Sequence, residues 1–239
     1  GDFILNANAY LIDYTDQLIN VQLSTNPLDN IVDNAGSSEL KGFEIEGTIF
    51  PADGLTIFAN VGYADTIFTD GAGTLGNDIT DFEFASTPDI TVGFGGRYEH
   101  DSGFYVNMQN RLTGGAFTSI NDENNITNTA REEANELALA NGQPAPFTEF
   151  LPRVQNSSGR NRAIFTVDLN VGYEAENFTV EVFARNLLAE NGFTFDPIND
   201  PVFPNGDPTQ QLIGFEPGNT TVAIANQPQQ FGIRLRGNF

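Results

Sequence analysis

The sequence contains no cysteine, no tryptophan, a single histidine, and only ten basic residues against 32 acidic ones. The absence of cysteine excludes disulfides and thiolate metal sites. A single histidine excludes a zinc or iron site built from several imidazoles of this chain. The formal charge of −22 argues against nucleic acid as a partner, because a phosphate backbone would be repelled.

The chain also lacks the run of about 18 apolar residues that a spanning helix needs. This is so although 39% of its 239 residues are hydrophobic and 21 are phenylalanine. A helical membrane protein is therefore excluded. The chain begins in an alternating pattern, with no basic stretch followed by an apolar run, so we expect a mature chain or a fragment rather than a precursor with a signal peptide.

Apolar and polar residues alternate through most of the remaining sequence, which is the period of a β-strand. In the last segment Phe231, Ile233, Leu235 and Phe239 share one face, and two arginines lie on the other. One face therefore suits lipid and the other a wet interior. Since only a closed barrel satisfies every backbone group of such strands in a bilayer, the pattern predicts an all-β fold, a transmembrane antiparallel β-barrel.

Short polar turns and long irregular segments alternate along the chain. We expect strands near 3–24, 38–50, 55–68, 88–99, 104–116, 163–174 and 178–188, followed by the terminal strand. The first of these is either one long strand or a strand followed by an irregular stretch after Asp16. The predicted extracellular loops are 25–38, 68–87, 117–162 and 189–227. Strong helix formers in 130–140, followed by Asn141 and Gly142, predict one short helix.

Several motifs resemble one known family. Residues 1–17, the segment Asn34-Ala-Gly-Ser-Ser-Glu-Leu-Lys-Gly-Phe-Glu-Ile-Glu-Gly47 and residues 54–63 are similar, in order and spacing, to the C-terminal part of a TonB-dependent outer-membrane receptor. Val182-Phe-Ala-Arg-Asn-Leu-Leu188 resembles the pattern of that family's penultimate strand, and the Phe-rich terminus resembles its closing strand.

The resemblance implies about eight C-terminal strands of a 22-stranded barrel. The whole chain 1–239 would then be barrel, with the plug domain and the N-terminal strands absent. It further implies TonB-dependent active uptake of a scarce nutrient, such as siderophore-bound iron, cobalamin, haem or an oligosaccharide, across the outer membrane of a Gram-negative bacterium. The implied partners are outer-membrane lipid and lipopolysaccharide, the TonB complex acting through the missing plug, and the barrel-assembly machinery. That machinery would read an assembly signal formed by Phe231, Ile233, Leu235 and Phe239.

The polar face of the strands gives the candidate substrate contacts. Most of its residues are expected to solvate the wall, pair with one another and hold the plug. The candidates for contact with a small-molecule or glycan substrate are Asn60, Arg97, Arg111 and Arg185 on the strands, with Phe195 and Phe203 in an aromatic, Pro-rich loop.

Two other classes of function are weighed against this one. Eight strands can close alone as a small barrel that serves as an adhesin or structural anchor. A barrel enzyme would need a nucleophile and a base converging from several strands, and the lone His100 lies in a short turn instead. We therefore predict no catalytic residue, no cofactor and no metal site; the acidic clusters lack the spacing of a defined calcium loop.

Overall fold

The computed structural model describes residues 2–22, 30–72, 78–117, 120, 125–153, 155, 160–190, 193–202, 214–225 and 227–237. The strands are β1 Asp2–Gln22, β2 Asn30–Ala52, β3 Leu55–Gly71, β4 Ile90–Glu99, β5 Phe104–Thr113, β6 Ile164–Glu174, β7 Phe178–Arg185, β8 Phe193–Val202, β9 Gly214–Ala225 and β10 Gln230–Gly237. The helix α1 spans Asn125–Ala140.

Eight strands form one antiparallel sheet in the order β1-β2-β3-β4-β5-β6-β7-β10. Short turns join β2 to β3, β4 to β5 and β6 to β7, as the sequence predicted. Gly54 and Gly103 adopt positive φ in the first two turns, a conformation that glycine enters without steric cost. Within the described residues β1 and β10 do not pair, so the sheet is an unclosed wall. The alternative of a small barrel closed on its own strands is therefore not favoured.

The strands of the sheet differ in length. Strands β4, β5 and β6 contain 10, 10 and 11 residues, which fits the about 9–11 residues of a tilted membrane-spanning strand. Strands β1, β2 and β3 contain 21, 23 and 17 residues and extend further at the end opposite the short turns. The predicted loop 25–38 is thus partly wrong, because β2 begins at Asn30 and its early residues pair with β1.

Strand β1 settles the alternative left open by the sequence. It is one long strand, with a register shift between Tyr14 and Gln17. Asp16, between them, has a φ of 59°. A bulge of this kind lets pairing continue after an inserted residue.

The two faces of the sheet have the predicted chemistry. Large apolar side chains on the outer face stay exposed, including Phe231 at 65%, Ile233 at 70% and Leu235 at 73%. Outer-face aromatic rings stack between strands, as in Phe43 with Tyr63 and Phe94 with Phe165. The inner face carries the polar and charged residues. An exposed apolar outer face is what a lipid-facing barrel wall presents.

Aromatic side chains of the inner face lie over glycines on neighbouring strands. A Cβ atom at Gly172 would overlap the ring of Tyr105, and one at Gly232 would overlap the ring of Phe183. In both pairs the aromatic residue faces its glycine directly in register. The same arrangement joins Tyr10 to Gly42 and Phe58 to Gly95. Each glycine therefore provides the space that its aromatic partner fills.

The long connections contain more regular structure than the sequence predicted. Part of the expected loop 189–227 is the separate two-stranded sheet of β8 and β9. Phe195 therefore lies in a strand, where an irregular loop was expected. The predicted helix is confirmed, begins earlier at Asn125, and ends before Gly142, which has a φ of 71°. Among the described residues no helix is long and apolar enough to cross a membrane.

Candidate functional site

A cavity of about 820 Å³ lies against the inner face of the sheet, beside the ends of β4 to β7 that lie away from the short turns. Its walls carry amide, hydroxyl and guanidinium groups, with Phe58 contributing an aromatic ring. The polar lining consists of Asn60, Thr91, Gln109, Asn110, Arg111, Thr113, Thr166, Asp168, Arg185, Asn186 and Gln227. Such a surface offers directional hydrogen bonds to a polar ligand.

Three of the predicted substrate contacts meet in this cavity. Asn60, Arg111 and Arg185 come from β3, β5 and the end of β7. Arg97 lies apart from them, towards the short turns, where it pairs with Glu99 and lies 4.5 Å from the ring centre of Tyr105. The backbone of Phe195 belongs to β8, and Phe203 lies outside the described residues.

Asp168 accepts two hydrogen bonds at the edge of the cavity. One carboxylate oxygen accepts a hydrogen bond from Arg185 at 2.9 Å, and the other accepts one from the backbone N–H of Asn186, also at 2.9 Å. Arg185 is half-buried and Asn186 is buried, which strengthens charge-assisted bonds relative to the exposed surface. The orientation of Arg185 is therefore fixed by Asp168.

Asn186 ties together the two ends of the connection that contains β8 and β9. Its side-chain oxygen accepts from the N–H of Glu190 at 2.9 Å, and its amide donates to the carbonyl oxygens of Glu190 and Gln227, each at 3.0 Å. The side chain is 4% exposed and the residue has a φ of 48°. Asparagine suits both demands, because it tolerates the left-handed conformation and bonds to nearby backbone. This is the asparagine of the motif in 182–188.

A second, smaller cavity of about 320 Å³ lies on the inner face of β1 to β4. Its polar wall is a ladder of cross-strand pairs. Asn6 donates to Glu46 at 2.9 Å, and Asn8 donates to Glu44 at 3.1 Å. Both pairs join a neutral amide to a carboxyl group on the inner face.

Arg153 and Gln155 contact the segment 78–83, between β3 and β4. Phe68, Ile79 and Phe82 form a small buried core there. Arg153 donates to the carbonyl oxygens of residues 78 and 80 and pairs with the Asp78 carboxylate at 2.9 Å. The Gln155 side chain forms a pair of hydrogen bonds with the backbone of Glu83, at 2.8 and 2.9 Å. The connections before β4 and before β6 are thus joined.

Side chains of the helix α1 form hydrogen bonds with the backbone of the extended segment 147–151. Asn135 and Asn128 each exchange two hydrogen bonds with the backbone, of Phe147 and Leu151 respectively, at 2.8–3.0 Å. Arg131, between them, donates to the carbonyl oxygen of Glu149 at 2.9 Å. Positions three and four apart on a helix share a face, whereas alternate residues of an extended chain turn their backbone groups the same way. The helix face therefore satisfies the segment much as a neighbouring strand would.

Two carboxyl groups in the connection between β3 and β4, those of Asp78 and Glu83, have shifted pKa values. The Thr80 hydroxyl and N–H hold the pKa of Asp78 below its usual value, with a smaller contribution from Arg153. Burial raises the pKa of Glu83, and repulsion from Asp89 adds to the rise. The carboxylate of Asp78 is therefore the more persistent anion as the pH falls.

The described residues contain no group of three or more histidine, cysteine, aspartate or glutamate side chains placed to hold a metal ion. His100 lies in the turn after β4, where its Nδ1 atom and the Ser102 hydroxyl are 2.9 Å apart. Both groups belong to one exposed turn. The structure therefore contains the polar turn that the sequence predicts.

The terminal strand β10 has the expected two faces. Phe231, Ile233 and Leu235 are exposed on the outer face, while Arg234 on the inner face pairs with Glu181 at 2.8 Å. Glu181 also accepts from the Tyr105 hydroxyl at 2.9 Å. This contact links β10 to β7 and β5. Phe239, the last residue of the proposed assembly signal, lies outside the described residues.

Sequence reasoning missed the residues that position the site. The side chains of Asn186, Arg153 and Gln155 bond to Gln227, Asp78 and Glu83, which lie 41, 75 and 72 residues away in sequence. Only the fold brings these partners close. The signal for Asn186 was its place in the motif of 182–188. The period of two did identify the inner face correctly, because Asn60, Arg111 and Arg185 were expected on that face and line the cavity.

Comparisons with known proteins agree with this architecture. A family sequence model described as "TonB dependent receptor-like, beta-barrel" matches residues 1–187. A search of curated proteins gives no match.

Solved structures with a similar fold include several receptors. The ferric yersiniabactin uptake receptor FyuA from Yersinia pestis is 15% identical, with a TM-score of 0.64 over 100% of this chain and 28% of FyuA. The siderophore receptor PiuA from Acinetobacter baumannii is 13% identical, with a TM-score of 0.57 over 98% of this chain and 25% of PiuA. The pyoverdine receptor FpvA from Pseudomonas aeruginosa PAO1 is 13% identical, with a TM-score of 0.56 over 99% of this chain and 27% of FpvA. At these identities the likeness establishes the fold, and the chain spans about a quarter of the length of each.

Proposed function

The chain belongs to the TonB-dependent receptor β-barrel family, and from that premise we propose that it forms the C-terminal barrel wall of an outer-membrane receptor for active nutrient uptake. The remaining strands and the plug would come from the rest of the receptor. The wall itself carries no catalytic role in this proposal.

The observation that carries the proposal is the contrast between the two faces of the wall. The outer face exposes apolar side chains along the membrane-length strands, and the inner face holds a polar cavity of about 820 Å³. The cavity lies at the end away from the short turns. In bacterial barrels short turns face the periplasm and long loops face outwards, so the cavity faces an incoming ligand.

The proposed substrate is a scarce small molecule such as siderophore-bound iron, cobalamin, haem or an oligosaccharide. FyuA, PiuA and FpvA are named for ferric yersiniabactin, a siderophore and pyoverdine. These names favour a siderophore-bound metal. The amide and guanidinium groups of the cavity suit the oxygen-rich surface of such a complex.

The proposed partners follow from the same placement. Outer-membrane lipid and lipopolysaccharide would contact the apolar face, the plug would contact the inner face, and the TonB complex would supply energy through the plug. The barrel-assembly machinery would recognise the terminal strand, including Phe231 and Phe239. Deleting Phe239 is expected to reduce the amount of folded receptor in the outer membrane, measured by heat-modifiability on gels; unchanged assembly would contradict that role.

Uptake by cells that carry the full receptor tests the function. Labelled ferric siderophores, cobalamin, haem and an oligosaccharide are supplied to isogenic strains with and without functional TonB. We expect one of these classes to accumulate only in the TonB-positive strain. If no class accumulates, or if accumulation is equal in both strains, the proposal is wrong.

A deletion of 117–162 refines this experiment. The N–H of Asn161 donates to the carbonyl oxygen of Ala116 at 2.8 Å, so the two ends of the connection already meet and a short Gly-Ser link can join them. Uptake should be lost while the heat-modifiable receptor remains in the outer membrane. Undiminished high-affinity uptake would remove this connection from the binding region.

A further inference from the structure

The basic residues of this acidic chain are almost all paired. The sequence has ten lysines and arginines against 32 acidic residues. Seven of the ten form ion pairs with carboxylates: Lys41, Arg97, Arg153, Arg160, Arg162, Arg185 and Arg234. Arg131 donates to a backbone carbonyl oxygen instead. Within the part of the chain that the structure describes, this leaves Arg111 and Arg236 without a carboxylate.

Arg111 is the unpaired cation that lines the main cavity. It lies on β5, opposite Gly93 on β4 and Thr166 on β6. Gly93 has no side chain, and the amide of Asn60 occupies the space where its Cβ would point, 2.8 Å from both amide heavy atoms. The register partners of Arg111, Gly93 and Thr166, and the Asn60 amide beside Gly93 carry no charge.

The carboxylate nearest in register does not neutralise Arg111. Asp168 pairs with Gln109, one step further along the same face. Both of its oxygens are already engaged, one by Arg185 and the other by the N–H of Asn186. Among the residues that the structure describes, the cavity thus holds two arginines and one carboxylate, and no carboxylate compensates the charge of Arg111.

We propose that Arg111 is an anion-binding residue that receives a carboxylate at the inner face of the wall. A guanidinium presents a planar fork of donors that matches the two oxygens of a carboxylate. The chain as a whole, at −22, repels anions at long range. The unpaired guanidinium in this polar cavity is therefore the position at which binding of an anion is most favourable.

The carboxylate has two available sources, a substrate or the plug of the same receptor. The first source deepens the proposed function and rests on it. Both sources share the same chemistry at Arg111, and they differ in whether the anion is present before any ligand is added. The thermal stability of the purified full receptor separates them.

The experiment measures the melting temperature of the full receptor in detergent, with citrate as the probe and with uncharged triethyl citrate at equal concentration. Ionic strength is held constant with sodium chloride. The variants are Arg111→Gln, Arg111→Lys and the matched control Arg236→Gln, whose arginine also lacks a described carboxylate but lies outside the cavity.

A substrate carboxylate predicts that citrate, and not its ester, raises the melting temperature of the wild-type receptor. Arg111→Gln should then weaken the apparent citrate affinity roughly tenfold to a hundredfold, as expected for a lost hydrogen bond to a charged group. Arg111→Lys should retain part of the affinity, and Arg236→Gln should match the wild type.

A carboxylate of the plug predicts a different result, in which Arg111→Gln lowers the melting temperature without any ligand and citrate has no effect on the wild type. The proposal is overturned if citrate acts equally on wild type and Arg111→Gln, or if neither citrate nor the substitution has an effect. Binding in detergent needs no energy from TonB. A receptor that failed the uptake experiment would therefore still give a clear answer here.

Discussion

Replacing Asn186 should loosen the base of the connection that holds β8 and β9. The Asn186→Gly substitution removes three hydrogen bonds, two involving Glu190 and one involving Gln227. Glycine keeps the positive φ of this position without strain. The substitution therefore isolates the contribution of the side-chain amide.

The expected magnitude follows from those three bonds. A neutral hydrogen bond contributes a net of about 0.5–1.5 kcal/mol. Gln227 is exposed, so water replaces part of what is lost. We take about 2 kcal/mol for local opening, which is roughly a thirtyfold increase in the opened population. Asn186→Ala adds left-handed strain of about 1 kcal/mol, a further factor of roughly five.

Hydrogen exchange of the full receptor, read by mass spectrometry, reports this opening. The informative amides are those of Leu187, Ala189 and Glu190, which bond to Val167, to the Asn186 carbonyl and to the Asn186 side chain. Exchange should accelerate by about thirtyfold in Asn186→Gly and more in Asn186→Ala, since local exchange tracks the opened population. Asn170→Ala is the control, because Asn170 is also buried on the inner face but its side-chain oxygen has no hydrogen-bond partner among the residues that the structure describes. Exchange of these amides at the wild-type rate in Asn186→Gly would refute the proposed role of the Asn186 side chain.

Three further outcomes are expected of the full receptor. Gly172→Ala should lower the temperature of the heat-modifiability shift, because its Cβ would overlap Tyr105 and cost about 1–3 kcal/mol, whereas Gly47→Ala, with 3.7 Å to its nearest neighbour, should not. Asn135→Ala should speed exchange at the Phe147 amide by roughly tenfold through the loss of two bonds, and equal rates would contradict the helix contact. The contacts of Asp78 with Thr80 and Arg153 should persist through mildly acidic pH. The folded pKa of Asp78 lies below its unfolded value, so its contribution is full above the unfolded pKa and is lost as pH falls through the lowered pKa; exchange in 78–82 that loosens already near neutral pH would contradict this.

The period-two pattern predicted the membrane-length strands well. Neither face of a segment such as Ile164–Glu174 is buried in a soluble core, so apolar and polar residues alternate regularly. The alternation therefore predicts both the strand and the face on which each side chain lies. The same pattern placed Asn60, Arg111 and Arg185 on the inner face, and the structure brings these three together.

The pattern failed where tertiary pairing overrides local preference. The start of β2 contains Asp33, Asn34 and Gly36, residue types typical of loops, yet it pairs with β1 across two register shifts. Strand β8 contains Pro197 and Pro201, residues that argue against a strand, although a two-stranded sheet has edges that tolerate them. Loop contacts such as Gln155 with Glu83 leave no local trace in the sequence, because the partners are 72 residues apart.

The central claim is that one face of this sheet meets lipid and the other meets the interior of a barrel. The chain contributes no cysteine, so a spin label can be attached at single introduced thiols. Neighbouring positions give matched pairs, Ala59 with Asn60 and Met108 with Gln109. In outer membranes, oxygen dissolved in lipid should relax labels at 59 and 108 strongly and labels at 60 and 109 weakly. Equal relaxation within each pair, or the reverse order, would contradict the claim.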